Sequence, residues 1–204
     1  VIRSDIKLET VAGEMKSNKI GYIRIGMFNE NTGSDFIKKF HELEGQGMEG
    51  LVLDLRDNPG GLLSESVKVA ELMVPKGPIV SVTERSGKSV TEYSSLEKAK
   101  YPVAVIVNQG SASAAEIVAG ALQDTKAGKL FGTKTFGKGS VQAVSNLDES
   151  TGMKLTIARY YTPSGRSING TGIEPDVLVE PTSENGENQL NEAISYLEKE
   201  LAKK

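Results

Sequence analysis

The sequence predicts a single α/β domain in which helices cross over between strands. Three observations lead there. Strand-like and helical periodicities alternate along the chain. The two most apolar runs, Leu51-Val52-Leu53-Asp54-Leu55 and Pro102-Val103-Ala104-Val105-Ile106-Val107, each enter a turn of small residues and then a helix, which suits buried, parallel strands. At 204 residues roughly 70% of the unfolded chain's surface can be buried, enough for a core without a metal or disulfide staple.

Ile6 to Val11 alternates weakly and is expected to open a first strand within a polar lead-in, residues 1–19. Ile20 to Ile25 alternates and predicts the first strand of a core that extends over residues 20–180. Phe36, Ile37, Phe40 and Leu43 recur at helical spacing, with Thr32 or Ser34 available as the cap. Met48 to Leu55 supplies a buried strand, broken by Asn58-Pro59-Gly60-Gly61, and Leu63 to Val74 returns to helical periodicity. Ile79 to Val82 and Lys88 to Tyr93 flank Arg85-Ser86-Gly87 and predict a hairpin. The Pro102–Val107 strand leads through Asn108-Gln109-Gly110-Ser111-Ala112-Ser113 to a helix from Ala114 to about Gln123. Lys129 to Val144 is glycine-rich and strand-prone, Met153 to Tyr161 is a further strand, and Gly172 to Val177 is a fixed loop entering another. Residues 181–204 form a polar linker and a last helix, with Leu190, Ile194, Leu197 and Leu201 on one face.

Composition excludes several kinds of chemistry. A net charge of −3 without a Lys/Arg cluster offers no footprint for nucleic acid. No apolar run approaches the roughly 18 residues that cross a membrane, and no signal or anchor segment stands in these residues. With no cysteine there is neither a disulfide nor a thiolate nucleophile or ligand. The single histidine, His41, would have to serve any Ser-His-Asp triad or zinc site. It follows Phe40 on the edge of an amphipathic helix among polar residues, which suits a solvated side chain without chemistry. No metal and no cofactor is expected.

Two places combine a buried strand, a tight turn and a helix start: Leu53-Asp54-Leu55-Arg56-Asp57-Asn58-Pro59-Gly60-Gly61 and Val107-Asn108-Gln109-Gly110-Ser111-Ala112-Ser113. Each directs backbone N–H groups at whatever sits over the turn, an anion or a developing oxyanion. Ser113-Ala114-Ala115-Glu116 also fits a capping box, so the pattern suits a cap as well as a nucleophile. A third segment, Thr135-Phe136-Gly137-Lys138-Gly139-Ser140-Val141-Gln142, sets one lysine between glycines with Gln142 four residues on. A phosphate loop would need a hydroxyl residue directly after Lys138, where Gly139 stands.

Together, Gly110-Ser111-Ala112-Ser113-Ala114-Ala115-Glu116 and Phe136-Gly137-Lys138-Gly139-Ser140-Val141-Gln142 resemble the carboxy-terminal processing, or tail-specific, proteases. The 25-residue step from Ser113 to Lys138 and the four-residue step to Gln142 match that family. The run around Asp54 to Gly61, and Thr162-Pro163-Ser164-Gly165 followed by Gly172-Ile173-Glu174-Pro175-Asp176, look like its other hallmarks. The resemblance covers about residues 20–180. It implies a ClpP/crotonase-like core of stacked ββα units, related to the core of tricorn protease. It also implies a serine endopeptidase that cleaves polypeptides near their C-termini outside the cytoplasm. Ser113 would be the nucleophile, with Ser111 its competitor, and Lys138 the general base oriented by Gln142. The oxyanion hole would come from the amides of Ala114 and of Gly60 or Gly61, and Asp124 matches a supporting position. Family members usually carry a PDZ domain, and nothing in these residues resembles one. A homo-oligomer or a regulatory partner is compatible with the resemblance.

A serine hydroxyl becomes a nucleophile when an adjacent base takes its proton, and a lysine is a base only when neutral. Desolvation favours the neutral amine. Phe136 and Val141 are the expected apolar walls around Lys138, and no Asp or Glu between Phe131 and Leu147 would hold the proton on it. Two other activities fit the same fold. A non-catalytic carrier or binding module, like the repeats of the interphotoreceptor retinoid-binding protein, would be expected to lack the serine or the lysine. A crotonase-type acyl-CoA enzyme would not need Lys138 and Gln142.

Overall fold

The computed structural model describes residues 9–146, 148 and 150–203. Its elements are β1 (Val11–Met15), β2 (Ile20–Ile25), α1 (Thr32–Gly45), β3 (Gly50–Asp54), α2 (Leu63–Glu71), β4 (Gly77–Glu84) and β5 (Ser89–Ser94). There follow β6 (Val103–Val107), α3 (Ala114–Asp124), β7 (Gly128–Gly132), β8 (Ser140–Asn146), β9 (Gly152–Tyr161), β10 (Val177–Leu178) and α4 (Glu187–Leu201).

Strands that are apolar on both faces must be covered on both, and β3 and β6 are buried at every position. They lie at the centre of a six-stranded sheet of order β1-β2-β3-β6-β7-β10. All its neighbours are parallel except the edge strand β1, which runs antiparallel to β2. Leu51 and Leu53, with Val103, Val105 and Val107, face a core shared with α1, α2 and α3. Val52, Ala104 and Ile106 face the other way, onto Ala193 and Leu197 of α4. A second, antiparallel sheet of order β5-β4-β9-β8 stands beside the first. In it β4 pairs with only the last part of β9, Ala158–Tyr161, so the rest of β9 is joined to β8 alone.

α4 is fastened to the end of β3 by buried charge. The Arg56 guanidinium donates to both oxygens of the fully buried Asp54, at 2.5–3.1 Å, and to the carbonyl of Gly186 at 2.9 Å and Gln189 Oε1 at 3.2 Å. Tyr22 donates its hydroxyl to the same carboxylate at 2.8 Å. Burial, then the Asp54 charge, push the Tyr22 phenol up to about 12.

The α/β alternation and the 85–87 hairpin turn stand as the sequence predicts. The strand expected from Ile6 begins at Val11 in the described residues, and residues 1–8 lie outside them. Neither Thr32 nor Ser34 caps α1: Asn31 is the N-cap, and Thr32 Oγ1 instead donates to the Met27 carbonyl and accepts the Asn29 N–H at 2.9 Å.

Candidate active site

The turn after β3 is built around a side chain. Asn58 is fully buried; its Nδ2 donates to the Ile25 carbonyl at 2.8 Å, its Oδ1 accepts the Gly60 N–H at 2.9 Å, and its carbonyl accepts the Ala112 N–H at 2.9 Å. The segment then runs beside Phe28, which donates to the Gly60 carbonyl and accepts from Leu62. The Gly60 amide is therefore taken, whereas the Gly61 amide has no partner among the described residues. Only glycine fits at these two positions. Gly61 has φ +142°, and a Cβ there would stand 2.0 Å from the Phe28 oxygen; one on Gly60, at φ +99°, would stand 2.7 Å from Ser113 Cβ.

The turn after β6 works differently. Ser111 is fully buried, its hydroxyl donating to the Leu55 carbonyl at 2.7 Å and accepting the Asn108 N–H at 3.0 Å, so it bolts the two turns together. Ser113, by contrast, is half-buried and sits at φ 56°, ψ −115° directly before α3. A non-glycine residue there carries backbone strain of about 1–3 kcal/mol. The next amide, that of Ala114, is one of the orphan donors of a helix start and has no partner among the described residues. Of the two candidate serines, only Ser113 presents its side chain to a cleft.

Lys138 lies in the loop between β7 and β8, and Glu116 holds that loop against α3. The Glu116 carboxylate is fully buried and accepts four hydrogen bonds: from the N–H groups of Ser113 (2.9 Å), Gly137 (2.8 Å) and Lys138 (2.8 Å), and from Thr135 Oγ1 (2.5 Å). One carboxylate thus sets the backbone of both the serine and the lysine. The glycines flanking Lys138 serve close packing: a Cβ on Gly137 would stand 2.7 Å from the Gly172 nitrogen, and one on Gly139 2.7 Å from that of Asn169. The expected wall of Phe136 is not there, since that ring is 68% exposed. Val141, Ile117, Leu63 and the buried Tyr160 provide the apolar surface instead. Tyr160 donates its hydroxyl to the Lys138 carbonyl. Burial and then the charge of Glu116 push its phenol far above its ordinary value, and a hydrogen bond with Ser113 offsets part of that.

Ser113, Ala114, Gly61, Lys138 and Gln142 all line one cleft of about 310 Å³, between the start of α3 and the β8–β9 pair. Gln142 reaches it from β8, directly after an irregularity in the pairing with β9, and not from a regular alternation with Lys138. Gly60 supports the cleft from behind its lining, and Asp124 is not at it. Asp124 stands at the other end of α3, accepting from the Ser164 N–H (3.0 Å) and hydroxyl (2.6 Å) and from Arg166 (2.5 Å). Burial alone would raise its pKa, but the Ser164 and Thr162 bonds and the Arg166 charge hold it below the usual carboxylate value. His41 is exposed on α1 and paired with Glu44 at 2.6 Å. Glu116, Thr135 and Tyr160 escaped the sequence reading. Glu116 alone carried a signal, its place three residues after Ser113, which reads equally as a helix cap.

The pattern of peptidase family S41 matches residues 19–179. The chain belongs to peptidase family S41. It is 42% identical over 183 residues to a carboxyl-terminal-processing protease of Synechocystis, covering 87% of this chain and 43% of that one. It is 43% identical over 166 residues to a chloroplastic C-terminal processing peptidase of Tetradesmus obliquus, covering 80% and 36%. The chain thus spans less than half the length of these relatives. Among solved structures it is similar to a photosystem II D1 C-terminal processing protease, with TM-score 0.78, 36% identity and coverage of 88% of this chain and 50% of that one. Tricorn protease shares the fold, with TM-score 0.56 and 23% identity over 90% of this chain and 18% of the other. The expected α/β core and its likeness in fold to tricorn protease therefore hold. No helix of the described residues is long and apolar enough to cross a membrane.

Proposed function

We propose that this S41 chain is a serine endopeptidase core in which Ser113 attacks the scissile carbonyl and neutral Lys138 takes its proton, with Gln142 orienting the amine. The observation that carries the reading is the convergence of Ser113, Lys138 and Gln142 on one cleft, beside the unpartnered amides of Gly61 and Ala114. Attack turns the carbonyl oxygen into an oxyanion, and two amides held by backbone already fixed can receive it without reorganisation. The proton passes from Ser113 to Lys138 and then to the leaving amine; water deacylates the enzyme by the same route reversed. The substrates are polypeptides, cleaved near their C-termini as the names of the relatives describe, and the site of action is outside the cytoplasm, as the family resemblance implies.

A fluorophosphonate probe tests the chemistry directly. It should add covalently to Ser113, seen as a mass shift on the peptide that contains it, and both Ser113→Ala and Lys138→Ala should abolish the adduct. Labelling at Ser111, or labelling that survives loss of the lysine, would overturn the assignment.

A further inference from the structure

The cleft holds a second lysine that the chemistry above does not use. Lys154, on β9, lines it together with Lys138. Its backbone is paired with Val144 of β8, and Gln142 is paired with Thr156, so Lys154 and Gln142 are diagonal neighbours across the same strand pair. Among the described residues no Asp or Glu lines the cleft, and no carboxylate forms an ion pair with Lys154. Lys16, Lys19, Lys39, Lys68, Lys100, Lys134 and Lys203 all have acidic partners. What sets Lys154 apart is its place on the cleft, since Lys76, Lys98 and Lys129, among others, also have no acidic partner among the described residues. The remaining lining is apolar on one side, with Leu62, Leu63, Ile117 and Val141. A cleft with apolar walls, a reactive serine at one point and an ammonium without an acidic partner among the described residues at another suits a peptide that carries a negative charge close to the bond being cut.

We propose that Lys154 is a specificity-determining residue that recognises a carboxylate on the peptide substrate, near the scissile bond. The proposal rests on the peptidase reading above and names the substrate class of that site. The carboxylate has two possible sources, the free α-carboxylate of a chain end or an acidic side chain. An exposed lysine attracts either, and the interaction falls with salt. Because it is partly solvated, its expected worth is a several-fold preference and not an absolute requirement.

The test uses three fluorogenic peptides of one sequence: a free acid, a C-terminal amide, and an amide with Glu close to the end. Values of kcat/KM are measured at low and high salt for the wild type, Lys154→Arg, Lys154→Met and Lys154→Glu. The wild type should favour a carboxylate-bearing peptide over the neutral amide by about fivefold at low salt. Lys154→Arg should keep that ratio, Lys154→Met should bring it close to one, and Lys154→Glu should invert it. Preference for the free acid identifies a chain end, and preference for the Glu peptide identifies an acidic side chain. A ratio near one in the wild type, or a preference that survives Lys154→Met and Lys154→Glu, overturns the proposal. Ser113-dependent cleavage of all three peptides without charge preference would sink the carboxylate and leave the peptidase standing. Cleavage of none would sink both.

Discussion

The chain makes the same local structure twice, a buried parallel strand, a tight turn and a helix, and uses it for two different ends. After β3 the turn removes side chains: Gly60 and Gly61 hold positive φ, and Gly61 passes so close to Phe28 that only backbone fits, which leaves an amide pointing outward. After β6 the turn keeps a side chain where a glycine would be easier, and Ser113 holds φ 56° at the cost of strain. In the proposed mechanism the first turn offers a donor and the second a nucleophile. Asn58 and Ser111, both fully buried, lock the two turns together, so that the Gly61 amide and Ser113 keep their spacing. Glycine and strained serine are thus complementary solutions to one requirement, an exposed functional group on a fixed backbone.

The sharpest way to break that comparison is to exchange the roles of the two serines in the second turn. Ser113→Ala should lower kcat by about 10⁴-fold or more. Ser111→Ala should leave a measurable rate and instead cost about 1–3 kcal/mol in urea unfolding, because the Leu55 carbonyl and Asn108 N–H lose a buried partner. The opposite outcome would place the nucleophile at Ser111.

In the first turn, Gly61→Ala should reduce kcat by roughly 100- to 1,000-fold with a smaller change in KM, since the new Cβ collides with the Phe28 oxygen and must shift the backbone that holds the amide. Unchanged kcat in a Gly61→Ala protein that still melts cooperatively would remove this amide from the site.

Glu116→Gln tests the bond between serine and lysine. The amide keeps one acceptor and turns an NH2 group towards two of the four donors, so about 1.5–3 kcal/mol should be lost for each charged hydrogen bond given up. Turnover should fall with KM nearly constant. A fall in melting temperature with full turnover would make Glu116 a structural residue alone.

The smallest effect belongs to the far end of α3. Asp124→Asn should barely change kcat, but it should change how stability depends on pH. The folded-state pKa of Asp124 is lowered, so its stabilisation is present above the unfolded value of about 3.9 and is lost as pH falls through the folded one. The gap in stability between wild type and variant should therefore close on acidification. A constant gap would mean that packing, and not charge, is what Asp124 contributes.

Most of the scaffold was legible because it rests on periodicity. β3 and β6 read as apolar runs, α3 as small residues after a turn, and the ordered motifs pointed to Ser113, Lys138 and Gln142, which do share a cleft. What was not legible depends on contacts distant in sequence. Nothing local reveals that Glu116 reaches Thr135, Gly137 and Lys138, nor that the Gly60 amide is taken by Asn58 while Gly61's is not. Phe136 was misplaced for the same reason: proximity in sequence put it beside Lys138, but the loop turns its ring outward. Lys154 lies 16 residues beyond Lys138 and enters the cleft only because β9 folds back along β8.

The central claim is that a lysine, and not a histidine, is the base. The most direct measurement is kcat/KM of Lys138→Arg on an unstructured peptide, with His41→Ala alongside. Arginine keeps the charge and much of the reach but does not deprotonate in a protein. The account predicts that Lys138→Arg is as inactive as Ser113→Ala while His41→Ala keeps nearly full activity. Substantial turnover by Lys138→Arg, or its loss in His41→Ala, would contradict it.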